Sequence, residues 1–256
     1  GGGGGGIDSP RPASQRAAAL VLTAAMLTTF TAPAFAKTWY IEDGDITISA
    51  SETKGTNKVS QGAEPEVEDT GTIITNREKD ASSHTVTINA GNDKVEVTLD
   101  NVNIKADSGS ALISKGDVTL TLKGDNHLTG GNGGSSSYGG DGITSSGSLT
   151  ISGGTVTATG GDSTSSVGSG GSGIYSSVID LSGSLELTAK AGSPNGKALS
   201  RVGSELDLNT IKDKLDPGAK VTATDADGKV IQQVSIPRPV EPEEPSSSSD
   251  SGSATP

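Results

Sequence analysis

Between Val97 and Ser182 apolar and polar residues alternate with a period of two, and the alternation returns as a phrase. Four segments align: Val97-Thr98-Leu99-Asp100-Asn101, Leu120-Thr121-Leu122-Lys123-Gly124, Leu149-Thr150-Ile151-Ser152-Gly153 and Ile179-Asp180-Leu181-Ser182-Gly183. The last apolar position moves from 99 to 122, 151 and 181, in steps of 23, 29 and 30 residues, and Leu206-Asp207-Leu208 reads as a truncated fifth copy. Such alternation marks strands with one buried and one wet face. The fifth aligned position holds Asn101, Gly124, Gly153 and Gly183, the residue types that most readily adopt positive φ, so the same turn is expected in every copy. A second strand follows each turn (102–104, 127–129, 155–158 and 185–188), and a third closes each repeat near 111–113, 142–144, 173–175 and 198–200.

Three short strands per roughly 20–30 residues, with no helical period between them, predict an all-β chain. The expected form is a right-handed single-stranded parallel β-helix, a solenoid whose inward Leu, Ile and Val stack in columns about 4.8 Å apart. An antiparallel sandwich with hairpins at the Lys-Gly and Ser-Gly pairs is the alternative, but it does not predict the return of one three-strand phrase. Ahead of the repeat, 38–41, 46–49, 72–75 and 85–88 read as first, irregular coils, with Trp39 and Tyr40 capping the open end. At the other end, 211–215 reads as a helical turn, and 220–224 with 229–236 reads as a hairpin across Asp227-Gly228, a C-terminal β-hairpin cap. The domain reading is therefore a β-helix over 37–210, a cap over 211–236 and a Pro/Ser-rich disordered linker over 237–256.

Composition fits small aliphatic columns: 37 Gly, no Cys and 2% aromatic residues. Without disulfides, stability must come from repetitive packing. A formal charge of −12 argues against nucleic acid and anionic membrane as partners and suits an acidic, calcium-tolerant extracellular surface. At the N-terminus, Arg11 and Arg16 flank an apolar run over 17–28, followed by Ala34-Phe35-Ala36. That is the pattern of a secretory signal peptide, with cleavage expected after Ala36; the run is too short to span a bilayer. Residues 1–6, all Gly, read as an artefact ahead of the leader, so the chain is read as a fragment. The tail over 237–256 reads as an extracellular spacer leading to a further domain or a wall anchor. The mature form is expected to be secreted or surface-attached, monomeric, and not inserted in a membrane.

Candidate chemistry lies at the loops and turns. Thr129-Gly130-Gly131-Asn132 and Thr159-Gly160-Gly161-Asp162 open two expanded loops one repeat apart, and Gly142-Ile143 and Gly173-Ile174 close them. The loops should project side by side and track an extended polymer. Tyr138 in the first loop and outward Tyr175 after the second are the best sugar-stacking candidates, with Asn132 and Asp162 beside them as polar contacts. Ordinary exposed tyrosines are the simpler reading. Acidic and amide residues gather at turns: Asp100 with Asn101, Asp107, Asp125 with Asn126, Asp141, Asp162 and Asp180. Stacking could bring carboxylates together around calcium, for which Asp100, Asp107, Asp125 and Asp141 are the candidates. Against this, Asp and Asn favour turns because they bond their own backbone.

Other signals are weaker. Asp225-Ala226-Asp227-Gly228 is better explained as a hairpin turn than as a calcium loop, and the glycine-rich 168–173 segment lacks the following helix a dinucleotide site needs. His84 and His127 have no partners at metal spacing. Hydrolysis would require paired carboxylates, yet the outward positions matching Asp180 are Thr98, Thr121 and Thr150. A lyase would need a base such as Lys123 or Arg201 within an acidic cluster. No catalytic residue is assigned, and the chain is read as not an enzyme.

The stretch 95–199 resembles the carbohydrate-binding parallel β-helix family of secreted and surface proteins of anaerobic Gram-positive bacteria, of the polygalacturonate-binding type. The phrases that carry the resemblance are Val97-Thr98-Leu99-Asp100-Asn101-Val102, Leu120-Thr121-Leu122-Lys123-Gly124-Asp125-Asn126-His127-Leu128 and Leu149-Thr150-Ile151-Ser152-Gly153-Gly154-Thr155-Val156. The opening Trp39-Tyr40-Ile41 and Gly44-Asp45-Ile46-Thr47-Ile48 is similar too. The resemblance implies non-catalytic binding of a polysaccharide, including acidic pectin-type polymers, with calcium as a structural or bridging ion. A surface stalk or adhesin, in which the repeat is a stiff spacer, is the alternative.

Overall fold

A computed structural model describes residues 37–134 and 137–240, so the expected signal peptide and the tail from 241 onward lie outside the described residues. Fifteen strands are found there: β1 (Thr38–Tyr40), β2 (Ile46–Ala50), β3 (Thr56–Gln61), β4 (Val67–Thr70), β5 (Ile73–Thr75), β6 (Val86–Asp100), β7 (Asn103–Lys105), β8 (Leu112–Thr129), β9 (Ile143–Thr159), β10 (Ile174–Ser182), β11 (Glu186–Lys190), β12 (Leu199–Arg201), β13 (Ser204–Glu205), β14 (Lys220–Thr224) and β15 (Val230–Ser235). They join in one connected, mostly parallel sheet, and the chain is all-β. The described residues hold three short 3-10 turns, and no helix among them is long and apolar enough to cross a membrane.

Parallel pairing between segments far apart in sequence is what organises the core. On one row Ile46, Val86, Leu112, Ile143, Ile174 and Leu199 stand opposite one another across six strands. All six are buried. Val95, Val118, Leu149 and Leu181 form a second row, and Ile104, Leu128, Ala158, Ala189 and Ala223 a third that narrows from Ile to Ala. Each fully buried Ile, Leu or Val contributes roughly 1.5–3 kcal/mol of gross burial, which lets an almost aromatic-free chain hold a core.

The register differs from the sequence alignment by two residues in two places. Leu99 pairs with Leu122 as expected, but Leu120 pairs with Ile151, and Leu149 with Leu181. A shift of two preserves which face each side chain occupies, so the apolar pattern alone cannot detect it. It changes the wet face, however: Thr121 faces Thr98 and Ser152, Thr150 lies beside Thr119 and Ser182, and Asp180 is opposite Ser148. The recurrent turn residues all have positive φ (Asn101 53°, Gly124 68°, Gly153 101°, Gly183 98°).

The ends are built differently from the middle. Strands β2, β3 and β4 form an antiparallel meander, and β3 and β4 cover the outer edge of β2. These strands, missed by the periodicity, are what close that edge. Trp39 is 4% exposed and lies in the core, while Tyr40 carries the Arg77 guanidinium over its ring at 4.1 Å. Arg77 also forms an ion pair with Asp43 at 2.9 Å. At the other end the C-terminal hairpin is present: β14 pairs antiparallel with β15. Leu206-Asp207-Leu208 does not continue the repeat. Asp207 instead caps the 3-10 turn Leu208–Thr210 by accepting the Asn209 N–H, and a second turn, Lys212–Lys214, follows.

Candidate functional site

The two expanded loops lie side by side, as their matching glycines predict. Gly133 bridges Ser163 in parallel, and the Gly133 N–H donates to the Asp162 carbonyl at 2.7 Å. A chain of glycine backbone hydrogen bonds holds them together, with a few side-chain bonds beside it. The N–H of Gly131 donates to the Gly109 carbonyl, Gly140 to Gly131, Gly161 to Gly140, Gly171 to Gly161, and Gly192 to Gly171, at 2.7–2.9 Å. This zigzag of hydrogen bonds crosses four successive repeats. A Cβ at Gly140, Gly161 or Gly192 would stand 2.0 Å from a carbonyl oxygen of the neighbouring segment, which is why the sequence is so rich in Gly here.

Within this frame Asn132 and Asp162 are equivalent residues of adjacent loops. The Asn132 Oδ1 accepts the Asp162 N–H at 3.0 Å, and the Asp162 Oδ1 accepts the Ser193 N–H at 2.9 Å. Both remain exposed, but each ties its loop to the next. Tyr138 is 68% exposed and Tyr175 37%. Tyr175 stands on the outer face between Thr144 and Ser200. Thr144 is six residues downstream of Tyr138, up to about 20 Å along extended chain.

The four candidate calcium ligands are dispersed. Asp100 accepts the Asn101 amide at 3.0 Å, and Asp107 is exposed at a turn before Gly109. The Asp125 carboxylate accepts from Thr155 at 3.0 Å and contacts His127 Nε2 at the same distance. Slight burial pushes the Asp125 carboxyl up, but the His127 and Thr155 contacts outweigh it and hold it below its usual range. Asp141 accepts the Ser172 N–H and the Thr144 hydroxyl, both at 2.9 Å. Burial raises its carboxyl above the usual range despite those bonds. Among the described residues no three His, Cys, Asp or Glu groups converge as a metal site. Calcium takes six to eight oxygens, so these residues do not fit a cage for it.

The remaining weaker candidates resolve individually. His84 contacts Asp45 at 3.1 Å. Asp225 accepts the Asp227 and Lys229 N–H groups, a turn contact that fits the hairpin reading. Asp180 pairs with Lys214 at 2.7 Å; the ammonium and the Ser148 hydroxyl hold its carboxyl low. Lys123 lies opposite Asp100 on the wet face. Arg201 lines a cavity of about 380 Å³ with Glu205 and Asp207. The Glu205 carboxylate is already occupied by the Ala198 and Leu199 N–H groups, and the Asp207 side chain by that of Asn209.

Two features were not anticipated. Asn126 is fully buried in the row Asn126, Val156, Leu187 and Val221. Its Oδ1 accepts the Val102 N–H at 2.7 Å, and its amide donates to the Lys123 and Thr155 carbonyls, linking three successive repeats. Its parity with inward Leu128 is the sequence signal for this. The second feature is an outer face carried by β8, β9, β11 and β14. Asp125, Thr155, Glu186 and Lys220 form one row along it, and His127, Thr157 and Thr188 the next, which ends at buried Thr222, whose hydroxyl accepts the Gln233 amide. A shallow cavity of about 150 Å³ opens there, lined by the polar residues Thr155, Thr157, Glu186, Thr188, Lys220 and Thr222 and by Val156 and Leu187. Set against family models, curated proteins and solved structures, the chain matches none. The function therefore has to be argued from this surface.

Proposed function

We propose that the chain is an extracellular, non-catalytic polysaccharide-binding protein built as a right-handed parallel β-helix. The solenoid reading is supported by the parallel register of Ile46, Val86, Leu112, Ile143, Ile174 and Leu199, which requires the chain to return to one line after each repeat. The observation that carries the binding reading is the pair of outward rows on β8, β9, β11 and β14. Hydroxyl, imidazole, carboxylate and ammonium groups recur there at one-strand spacing, about 4.8 Å. A polymer with hydroxyls at regular intervals can exchange water for these groups along its length, each hydrogen bond adding a modest net gain. The stacked loops, with exposed Tyr138 at their edge, extend the surface available to a chain. Calcium enters this reading as an ion bridging an anionic protein and an anionic polymer, not as a caged ion.

Affinity electrophoresis of the chain from Lys37 on a panel of neutral and acidic polysaccharides, with and without chelator, tests the proposal. Retardation on at least one polymer is expected. Thr157→Ala with Thr188→Ala should weaken it by about tenfold, equivalent to about 1.4 kcal/mol. Free migration on every polymer would remove the binding function, and shortened polymer products would move the protein to the enzymes.

A further inference from the structure

A buried carboxylate stands at the start of the described chain. Asp69 is 2% exposed. Its Oδ1 accepts the Lys37 backbone N–H at 3.0 Å, and its Oδ2 accepts the Trp39 indole N–H at 2.9 Å. The Lys37 side-chain ammonium is turned onto the Trp39 ring, 3.9 Å from its centroid. Among the described residues no Lys, Arg or His side chain forms an ion pair with Asp69. Two neutral N–H donors satisfy its oxygens but do not balance its charge, and an unbalanced carboxylate out of water is costly.

The backbone nitrogen that Asp69 holds is the one that the sequence marks for release. Ala34-Phe35-Ala36 places small residues first and third before the Ala36–Lys37 bond, and β1 begins one residue after it, at Thr38. We propose that the mature protein begins at Lys37 and that its new α-ammonium forms a partly buried ion pair with Asp69. A signal-type endopeptidase adds water across the Ala36–Lys37 amide. Ala36 departs as a carboxylate, and the Lys37 nitrogen takes up protons to become an ammonium, since an α-amino group titrates near pH 7.7–8.0. The hydrogen bond already present, charge-assisted on the Asp69 side alone, then carries a formal charge on both partners. Asp69 belongs to β4, in the antiparallel meander, so processing fastens the first strand to the end of the sheet. The leader thus withholds one ion pair until it is removed, and export and final stability are linked through one atom.

Three measurements test this. N-terminal sequencing or mass spectrometry of the exported protein should find Lys37 first; another first residue overturns the assignment. A chain released from a fusion to begin at Lys37 should melt roughly 3–8 °C above one beginning at Ala34, which keeps the N–H but not the charge. Equal melting overturns the ion pair, and this comparison stands even where Asp69→Asn does not fold. Where Asp69→Asn does fold, the difference between the two starts should vanish, and its persistence would show that the ammonium acts elsewhere.

Discussion

Asp141 shows how much a single turn residue does in this chain. It closes the first expanded loop, accepts the Ser172 N–H from the next repeat and takes the Thr144 hydroxyl. Burial raises its folded carboxyl above the unfolded value, so the native state holds a proton the unfolded chain has lost over that window. Its contribution is therefore present below the unfolded value and is lost as pH rises through the folded one. Asp141→Asn keeps an oxygen for Ser172 and removes the titration. Thermal melts should show the variant gaining on the parent as pH rises from the unfolded carboxylate range through the raised folded one. A constant gap across that range would contradict the argument. Asp141→Ala, which strands the buried Ser172 N–H, should instead cost about 1–3 kcal/mol. That Asp and Asn sit at turns is legible in the sequence. Which N–H each one caps is not, because Asn132, Asp141 and Asp162 reach the following repeat and the partner depends on inter-repeat register.

At the scale of elements, strand identity and facing follow from alternation, since Leu120, Leu149 and Leu181 are all buried where parity places them. Register is set by something else. The offset between β8 and β9 shortens by one residue between the pairs Leu122–Gly153 and Asp125–Thr155, where glycines at 153 and 154 approach Leu122 and Gly124, a bulge-like shift that hydrophobicity does not encode. The loops make the same point, because the spacing of their glycines does not show which carbonyl each one packs against. Gly161→Ala places a methyl group 2.0 Å from the Gly131 carbonyl oxygen and should break the zigzag, at a cost above about 3 kcal/mol. Gly134→Ala, in the neighbouring first loop, meets nothing nearer than the Ser137 hydroxyl at 4.0 Å and should change stability by less than about 0.5 kcal/mol. Chemical denaturation of the pair separates close packing from general loop sensitivity. Equal effects would mean that the loops are not zipped through their backbone.

A stacked parallel sheet has an inherent difficulty at the scale of the whole molecule: each end presents a strand edge able to recruit another chain. The two ends answer it with antiparallel pairing, β3 and β4 beyond β2 at one and β15 beyond β14 at the other. Only the second is legible in the sequence, through Asp227-Gly228, where Asp225 accepts two N–H groups and Gly228 adopts φ 87°. The first is hidden because β3 and β4 carry few apolar residues and are held by side-chain bonds. Asn57 donates to the Thr72 hydroxyl and the Glu96 carbonyl, and Gln61 to the Tyr40 and Gly44 carbonyls. Ending the chain at Gly228 removes β15 and bares the hydrogen-bonding edge of β14 over Lys220–Thr224, a β-prone segment. Such a chain keeps the buried rows of β8 to β11, so its circular dichroism should stay strand-rich. Sedimentation should show concentration-dependent association beyond that of the chain ending at Val240. Unchanged sedimentation would mean that β15 serves packing alone, through Val234 and Ile236 against the core, and not protection of the edge.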